Sequence, residues 1–260
     1  MPVHDTFARR VRLQHLHRRD AAGLLVVPLD HSVAGGPIVH NGQLDRLIGQ
    51  ISDGGADAVV LHKGAVRRVA ARWFRSMSLI VHLSAGTTLA PDPDHRYLVC
   101  TVEEALRLGA HGVSVHVNAG SATEGRQIAD LAAVAGECDR WGVPLLAMVY
   151  PRGPGIGDGR APDVVAHAAA LAADLGADLV KTALPRSAAA IAAVTAGCPI
   201  PVLAAGGGTG DDVLPHLADA MRAGAGGVAA GRLVFTAPDP AAMTRRVAAV
   251  VHDRTPAVAR

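Results

Sequence analysis

Lysine is almost absent from this chain. Of its 25 basic residues only Lys63 and Lys181 are lysines, so a composition that strongly favours arginine has kept lysine at two places, both inside apolar runs. Aromatic residues are scarce too, at 3% of the chain, and the formal net charge is only +2. A nucleic-acid binder concentrates basic charge on one face or interleaves it with stacking aromatics. The nearest candidate here, FARRVRLQHLHRRD (Phe7–Asp20), reads at least as well as a solvated amphipathic helix before the domain, so nucleic acid is not expected as a partner. Cys100, Cys138 and Cys198 are scattered, without C-x-x-C spacing. That pattern fits structural thiols in a reducing compartment. No segment approaches the ~20 uninterrupted apolar residues of a membrane span. The N-terminus lacks the apolar stretch of a signal peptide. A cytoplasmic protein with no membrane partner is expected.

What is present is a regular alternation. Eight short apolar runs can be marked: LLVVPLD (24–30), AVVLHKG (58–64), SLIVHLS (78–84), GVSVHVN (112–118), PLLAMVY (144–150), LVKTAL (179–184), PVLAAGG (201–207) and GVAAGR (227–232). Each is strand-length and continuous, as parallel strands buried on both faces are. Helical patterns lie between them. Leu44, Leu47, Ile48 and Ile51 follow the i, i+3, i+4, i+7 rule, and Pro162 sits where a first-turn proline belongs. Thr101 with Glu104, and Ser121 with Glu124, have capping-box spacing.

An internal echo supports this reading. A G-A-x-x-V pattern recurs at Gly55, Gly109, Gly176 and Gly224, before the second, fourth, sixth and eighth strands. In each copy a glycine able to take positive φ ends a helix, and a strand starts about three residues later. Eight strands alternating with helices, repeating in pairs, predict an α/β fold with one closed (β/α)8 TIM barrel. The 260 residues are expected to form a single domain, with the barrel over about 20–250 and an N-terminal extension helix. An open doubly wound sheet is the alternative.

Active sites of such barrels form at the C-terminal ends of the strands. Those ends carry Asp30 and His31, Lys63, Ser84, Asn118, Tyr150, Lys181, the run Gly206, Gly207 and Gly208, then Gly231 and Arg232. Lys181 stands out because it precedes its strand's end. Burying an ammonium without partners is costly and favours the neutral amine, a nucleophile for ketones and aldehydes. A structural ion pair with Asp30 is the bland alternative. The glycines after strand seven and the Gly-Arg after strand eight suit a phosphate, through close backbone N–H groups and a charge-assisted guanidinium. His62, His82 and His116 sit near strand ends, but no tight ligand spacing appears. They read as hydrogen-bonded barrel histidines, and no metal or other cofactor is expected. Two Gly-, Pro- and Asp-rich segments, 84–97 and 151–162, read as loops long enough to cover the mouth.

In order along the chain, VPLDHSVAGGP, VVLHKGAVR, LIVHLSAGT, VSVHVNAGS, MVYPRG, DLVKT, AAGG and AGGVAAGRLVF resemble the archaeal-type class I aldolase family over roughly residues 20–250. Within it the likeness is to the 2-amino-3,7-dideoxy-D-threo-hept-6-ulosonate synthases and their actinobacterial aminohydroxybenzoate-pathway relatives. The resemblance implies a (β/α)8 barrel, a Schiff-base lysine at Lys181, an acidic residue for proton transfer at Asp30 and a general acid/base at Tyr150. It also implies a phosphate pocket at Gly206, Gly207, Gly208, Gly231 and Arg232. His31, Lys63 and Arg152 join as substrate-binding candidates, Lys63 for an acceptor carboxylate or for local positive potential. Two segments depart from the family pattern: GGGTGDD after strand seven and GRLVF after strand eight.

The implied partners are small molecules, a phosphorylated ketone and an aldehyde. Dihydroxyacetone phosphate and aspartate 4-semialdehyde are favoured, giving a C7 amino-keto acid, and a homo-oligomer is expected. The alternatives are a transaldolase-type hept-6-ulosonate synthase, a fructose-bisphosphate aldolase, a thiolase-like acyl transfer to coenzyme A, and a non-catalytic phosphosugar-binding barrel.

Overall fold

The computed structural model describes residues 6–17, 23–39, 43–206 and 212–252. Eight parallel strands close into a barrel: β1 Leu24–Pro28, β2 Ala58–Leu61, β3 Ser78–His82, β4 Gly112–Ala119, β5 Leu145–Pro151, β6 Leu179–Thr182, β7 Val202–Ala205 and β8 Gly227–Ala229. Neighbours around the ring are consecutive in sequence, with β1 pairing both β2 and β8. All eight apolar runs therefore contain a strand, and the open sheet is ruled out.

Strict alternation along each strand splits the core in two. Leu25, Val27, Val59 and Val81 face the helices. Leu24, Val26, Val60, Ile80, Leu146, Leu179 and Leu203 fill the barrel interior. The inward positions become polar toward the C-terminal ends, at His82, His116 and Lys181, and there the aliphatic filling stops.

The G-A-x-x-V repeat has a mechanical explanation. Gly55, Gly109, Gly176 and Gly224 all have φ between 84° and 98°. The following alanine's N–H bonds the carbonyl five residues back in the helix, as in Ala56 to Ile51 and Ala177 to Ala172. This is a Schellman closure. The third residue of the pattern then clips the preceding odd strand. Asp57 N–H donates to the Leu25 carbonyl while its Oδ2 accepts the Leu25 N–H at 2.7 Å. Asp178 does the same at Leu145, and His111 at Leu79 through Nδ1. In the fourth copy Gly226 supplies the backbone half, to Val202.

The N-terminal helix, Phe7–Leu16, is the amphipathic helix expected before the domain, exposed on its outer side and buried at Arg9 and Leu16. It docks on the N-terminal end of the barrel, where Leu16 is buried with Leu24 and Val26. Arg9 reaches Asp178 at 3.4 Å, and Arg12 donates to the carbonyl of Gly142 at 2.8 Å. That carbonyl lies just past the helix Glu124–Trp141, whose C-terminal end favours a cation. Arginines that look solvating in sequence are thus fastening. One cap also differs from expectation. Thr101 accepts the Glu104 N–H, but Ser121 does not cap the next helix; its hydroxyl accepts from Gln127, and Glu124 takes the Gly120 N–H. No helix among the described residues is long and apolar enough to cross a membrane.

Candidate active site

A cavity of about 1010 Å³ opens at the C-terminal ends of the strands. Lys181, on the inner face of β6, lies at its floor and is only 7% exposed. Strand register sets Lys181 beside Met148 of β5, and Nζ lies 4.0 Å from the Met148 sulfur. The Tyr150 ring, one inward position further along β5, has its centroid 5.8 Å from Nζ. A primary amine therefore faces a largely apolar floor with a phenol above it.

Asp30 follows β1 and faces the same space. Its Oδ2 lies 3.8 Å from His82 Nε2 and its Oδ1 3.7 Å from His31 Nδ1, while Oδ1 is buried with no hydrogen bond. Burial weighs against ionising this carboxyl. The positive charge that His82, His31 and Lys181 can bring to bear outweighs that penalty and holds it below the usual carboxylate range.

At ordinary pH these histidines are neutral, and they bring their charge to Asp30 only in acid, where that carboxyl would otherwise take up a proton. Burial pushes His82 down to about 4 against the pull of Asp30. His116 is pushed down to about 3, again mainly by burial and then by Arg96. Both are hydrogen-bonded, His82 Nδ1 with Ser114 Oγ at 2.8 Å and His116 Nε2 with Asn118 Oδ1 at 2.9 Å. Among the described residues no group of three or more His, Cys, Asp or Glu is arranged to hold a metal ion.

Asp30, His31, Tyr150, Arg152, Lys181 and Arg232 line one cavity. Lys63 does not join them. Its ammonium pairs with Glu104 at 3.2 Å, and it begins the short helix Lys63–Val66, while the preceding His62 lines the cavity. Consecutive residues at a strand end point to opposite sides, which places the histidine inside and the lysine outside.

Gly206 and Gly231, the described glycines of the expected phosphate pocket, are not among the residues lining the cavity, and both have packing reasons. A Cβ on Gly206 would sit 2.8 Å from that of Ala230, and one on Gly231 would collide with the Pro28 carbonyl and approach His31 Cε1 to 2.7 Å. Gly207 and Gly208 lie outside the described residues. Arg96 and Arg160 also line the cavity, and sequence reasoning missed both because they stand in loops. The available signal was that each is a cation inside a Gly/Pro/Asp-rich segment already read as a cover for the mouth.

Residues 24–237 match the DeoC/LacD family aldolase profile. The chain belongs to that aldolase family. It is a class I aldolase, of the archaeal type that its motifs resemble. The 2-amino-4,5-dihydroxy-6-oxo-7-(phosphonooxy)heptanoate synthase of Streptomyces griseus is 55% identical over 97% of this chain and 93% of its own length. The 2-amino-3,7-dideoxy-D-threo-hept-6-ulosonate synthase 1 of Archaeoglobus fulgidus is 40% identical over 88% of this chain and 85% of its own. A solved Schiff-base-forming fructose-1,6-bisphosphate aldolase superposes with a TM-score of 0.86 at 28% identity, covering 94% of this chain and 100% of that one. The aldolase barrel thus accounts for the strand order found here.

Proposed function

We propose that this aldolase joins dihydroxyacetone phosphate to aspartate 4-semialdehyde through an imine on Lys181. The observation that carries the reading is the buried Lys181 amine at the cavity floor, beside Tyr150 and within the field of Asp30. The substrates follow from the chemistry written in the Streptomyces relative's product name. A 2-amino-4,5-dihydroxy-6-oxo-7-phosphonooxy acid, cut between C4 and C5 in the retro-aldol sense, gives a four-carbon amino-acid aldehyde and a three-carbon hydroxyketone phosphate. The addition loses no atom and needs no redox step.

In this mechanism the unprotonated Lys181 Nζ adds to the ketone carbon, and the carbinol hydroxyl leaves as water. The iminium so formed is an electron sink, and the neighbouring hydroxymethyl carbon gives up a proton. The enamine carbon then bonds to the aldehyde carbon, and the aldehyde oxygen takes a proton. Water returns to the iminium and frees the amine. Asp30 is assigned to proton transfer around the imine and Tyr150 to the substrate oxygen, both as acid/base groups. Arg232 and His31 hold the phosphate, so that binding energy remote from the reacting carbons positions the ketone.

Borohydride added to protein with dihydroxyacetone phosphate, followed by peptide mass analysis, tests this. Reduced donor fixed on Lys181 is the expected result. No adduct with this ketone, but one with a deoxy-ketohexose phosphate, moves the reading to the transaldolase-type synthase. No adduct with either ketone overturns the imine account.

A further inference from the structure

Four arginines line the cavity, and among the described residues Arg96 is the one whose guanidinium is held by backbone carbonyls while no carboxylate pairs with it. Arg152 is already paired with Asp94 at 2.7 Å. Arg96 has no carboxylate within ion-pair distance among the described residues; burial and then Arg152 work against its charge, and Asp94, Asp92 and Asp30 only partly offset this from further off.

Its guanidinium is nonetheless held. Nη1 donates to the carbonyls of Pro93 at 2.7 Å and His95 at 2.6 Å. Nε and Nη2 make no hydrogen bond to the described residues, and these two form the side-on edge of the guanidinium that matches a carboxylate's two oxygens. Gly86 provides the seat, because a Cβ there would collide with the His95 carbonyl and come within 2.5 Å of Arg96 Nη1. Arg96 lines the same cavity as Asp30, His82 and His116, and its charge acts on all three.

We propose that Arg96 binds the carboxylate of the aldehyde acceptor and thereby selects an amino-acid aldehyde over a neutral one. The inference rests on the aldolase reading above and adds the determinant of its acceptor. The C7 product carries an anion at each end, a phosphate from the ketone and a carboxylate from the aldehyde. Arg232 follows β8, Arg96 lies in the loop after β3, and three steps round the ring of eight separate those strands. The new carbon–carbon bond forms between these two cations, over Lys181. Lys63, the sequence candidate for this carboxylate, is turned out of the cavity, and Arg96 takes its place.

The test compares aspartate 4-semialdehyde with butanal as acceptors, using dihydroxyacetone phosphate as donor. Arg96→Gln should lower kcat/KM for the semialdehyde by about 10- to 100-fold, the loss expected for a charge-assisted pair, mainly through KM. Turnover of butanal and the borohydride-trapped adduct on Lys181 should stay at wild-type levels. Arg96→Lys keeps the charge without the fork and should recover part of the loss; it also serves if the Gln variant proves unstable. Equal losses with both acceptors, or a preference that survives in Arg96→Gln and disappears in Arg160→Gln, would overturn the assignment. Absence of the donor adduct in the wild type instead defeats the choice of ketone. The same acceptor comparison then decides Arg96's role with whichever ketone phosphate does trap.

Discussion

Asp94 and Arg152 form an ion pair that ties the loop after β3 to the loop after β5. The same Asp94 gives its backbone carbonyl to Asn118 Nδ2 at 2.7 Å and to Gln127 Nε2 at 3.0 Å. The two segments that sequence marked as covers are therefore fastened to each other and to the rim of β4. The ion pair is exposed on its arginine side, and such pairs contribute under about 1 kcal/mol. Asn118 and Gln127 are buried, and Asn118 also holds His116. Asp94→Ala should lower unfolding stability by less than about 1 kcal/mol. Asn118→Ala should cost about 1–3 kcal/mol, because it strands buried partners. Urea denaturation of the two variants side by side checks the order; equal losses would mean that the ion pair holds the loop.

Lys181→Met should separate catalysis from stability. A thioether chain of similar length fills the same floor beside Met148 without a charge to desolvate. Thermal melting should show a midpoint equal to or above the wild type, with aldol activity and borohydride trapping lost. A marked drop in melting temperature would instead identify the ammonium as a structural partner of Asp30.

Acid sensitivity should arise from the barrel-mouth histidines. His82 and His116 titrate at about 4 and about 3 when folded, against 6.5 for a free side chain. Below pH 6.5 the unfolded chain therefore binds more protons than the folded one, and stability falls as pH drops toward 4. Each histidine contributes a slope of up to about 1.4 kcal/mol per pH unit in that window. Asp30, held below the usual carboxylate range, stays ionised throughout it. Urea midpoints measured between pH 7.5 and 5 should decline, and His116→Gln should flatten the decline. Parallel slopes would show that His116 is not held neutral.

Gly231→Ala should destabilise the protein even with no anion present, since the added methyl meets the Pro28 carbonyl of β1. Overpacking of this kind costs about 1–3 kcal/mol. A variant of unchanged stability that binds inorganic phosphate more weakly would show that the glycine's role is anion approach and not strand packing.

The barrel was legible because its signals are local and repeated. Eight apolar runs announce strands buried on both faces, and four positive-φ glycines mark where every second strand begins. Strand-end reading likewise brought Asp30, Tyr150, Lys181 and Arg232 to one cavity, because a strand's last inward position is set by counting. Lys63 was misplaced for the same reason: one residue beyond His62, parity turns it to Glu104. Arg96 was invisible because its place depends on how residues 84–97 fold back, which Gly86 and Asp94 decide through contacts distant in sequence. The N-terminal arginines were misjudged because charge pattern alone cannot tell water from the end of a neighbouring helix.

The clips made by Asp57, His111 and Asp178 all lie at the N-terminal end of the barrel, away from the cavity. Strand alignment is thus locked at the pole opposite the chemistry. A loop on the catalytic side can be lengthened, shortened or recharged while the ring's stagger stays fixed. Changing which aldehyde this scaffold accepts is therefore a problem of loop composition, largely uncoupled from folding. Substitutions at Arg96 itself should move selectivity far more than they move the melting temperature.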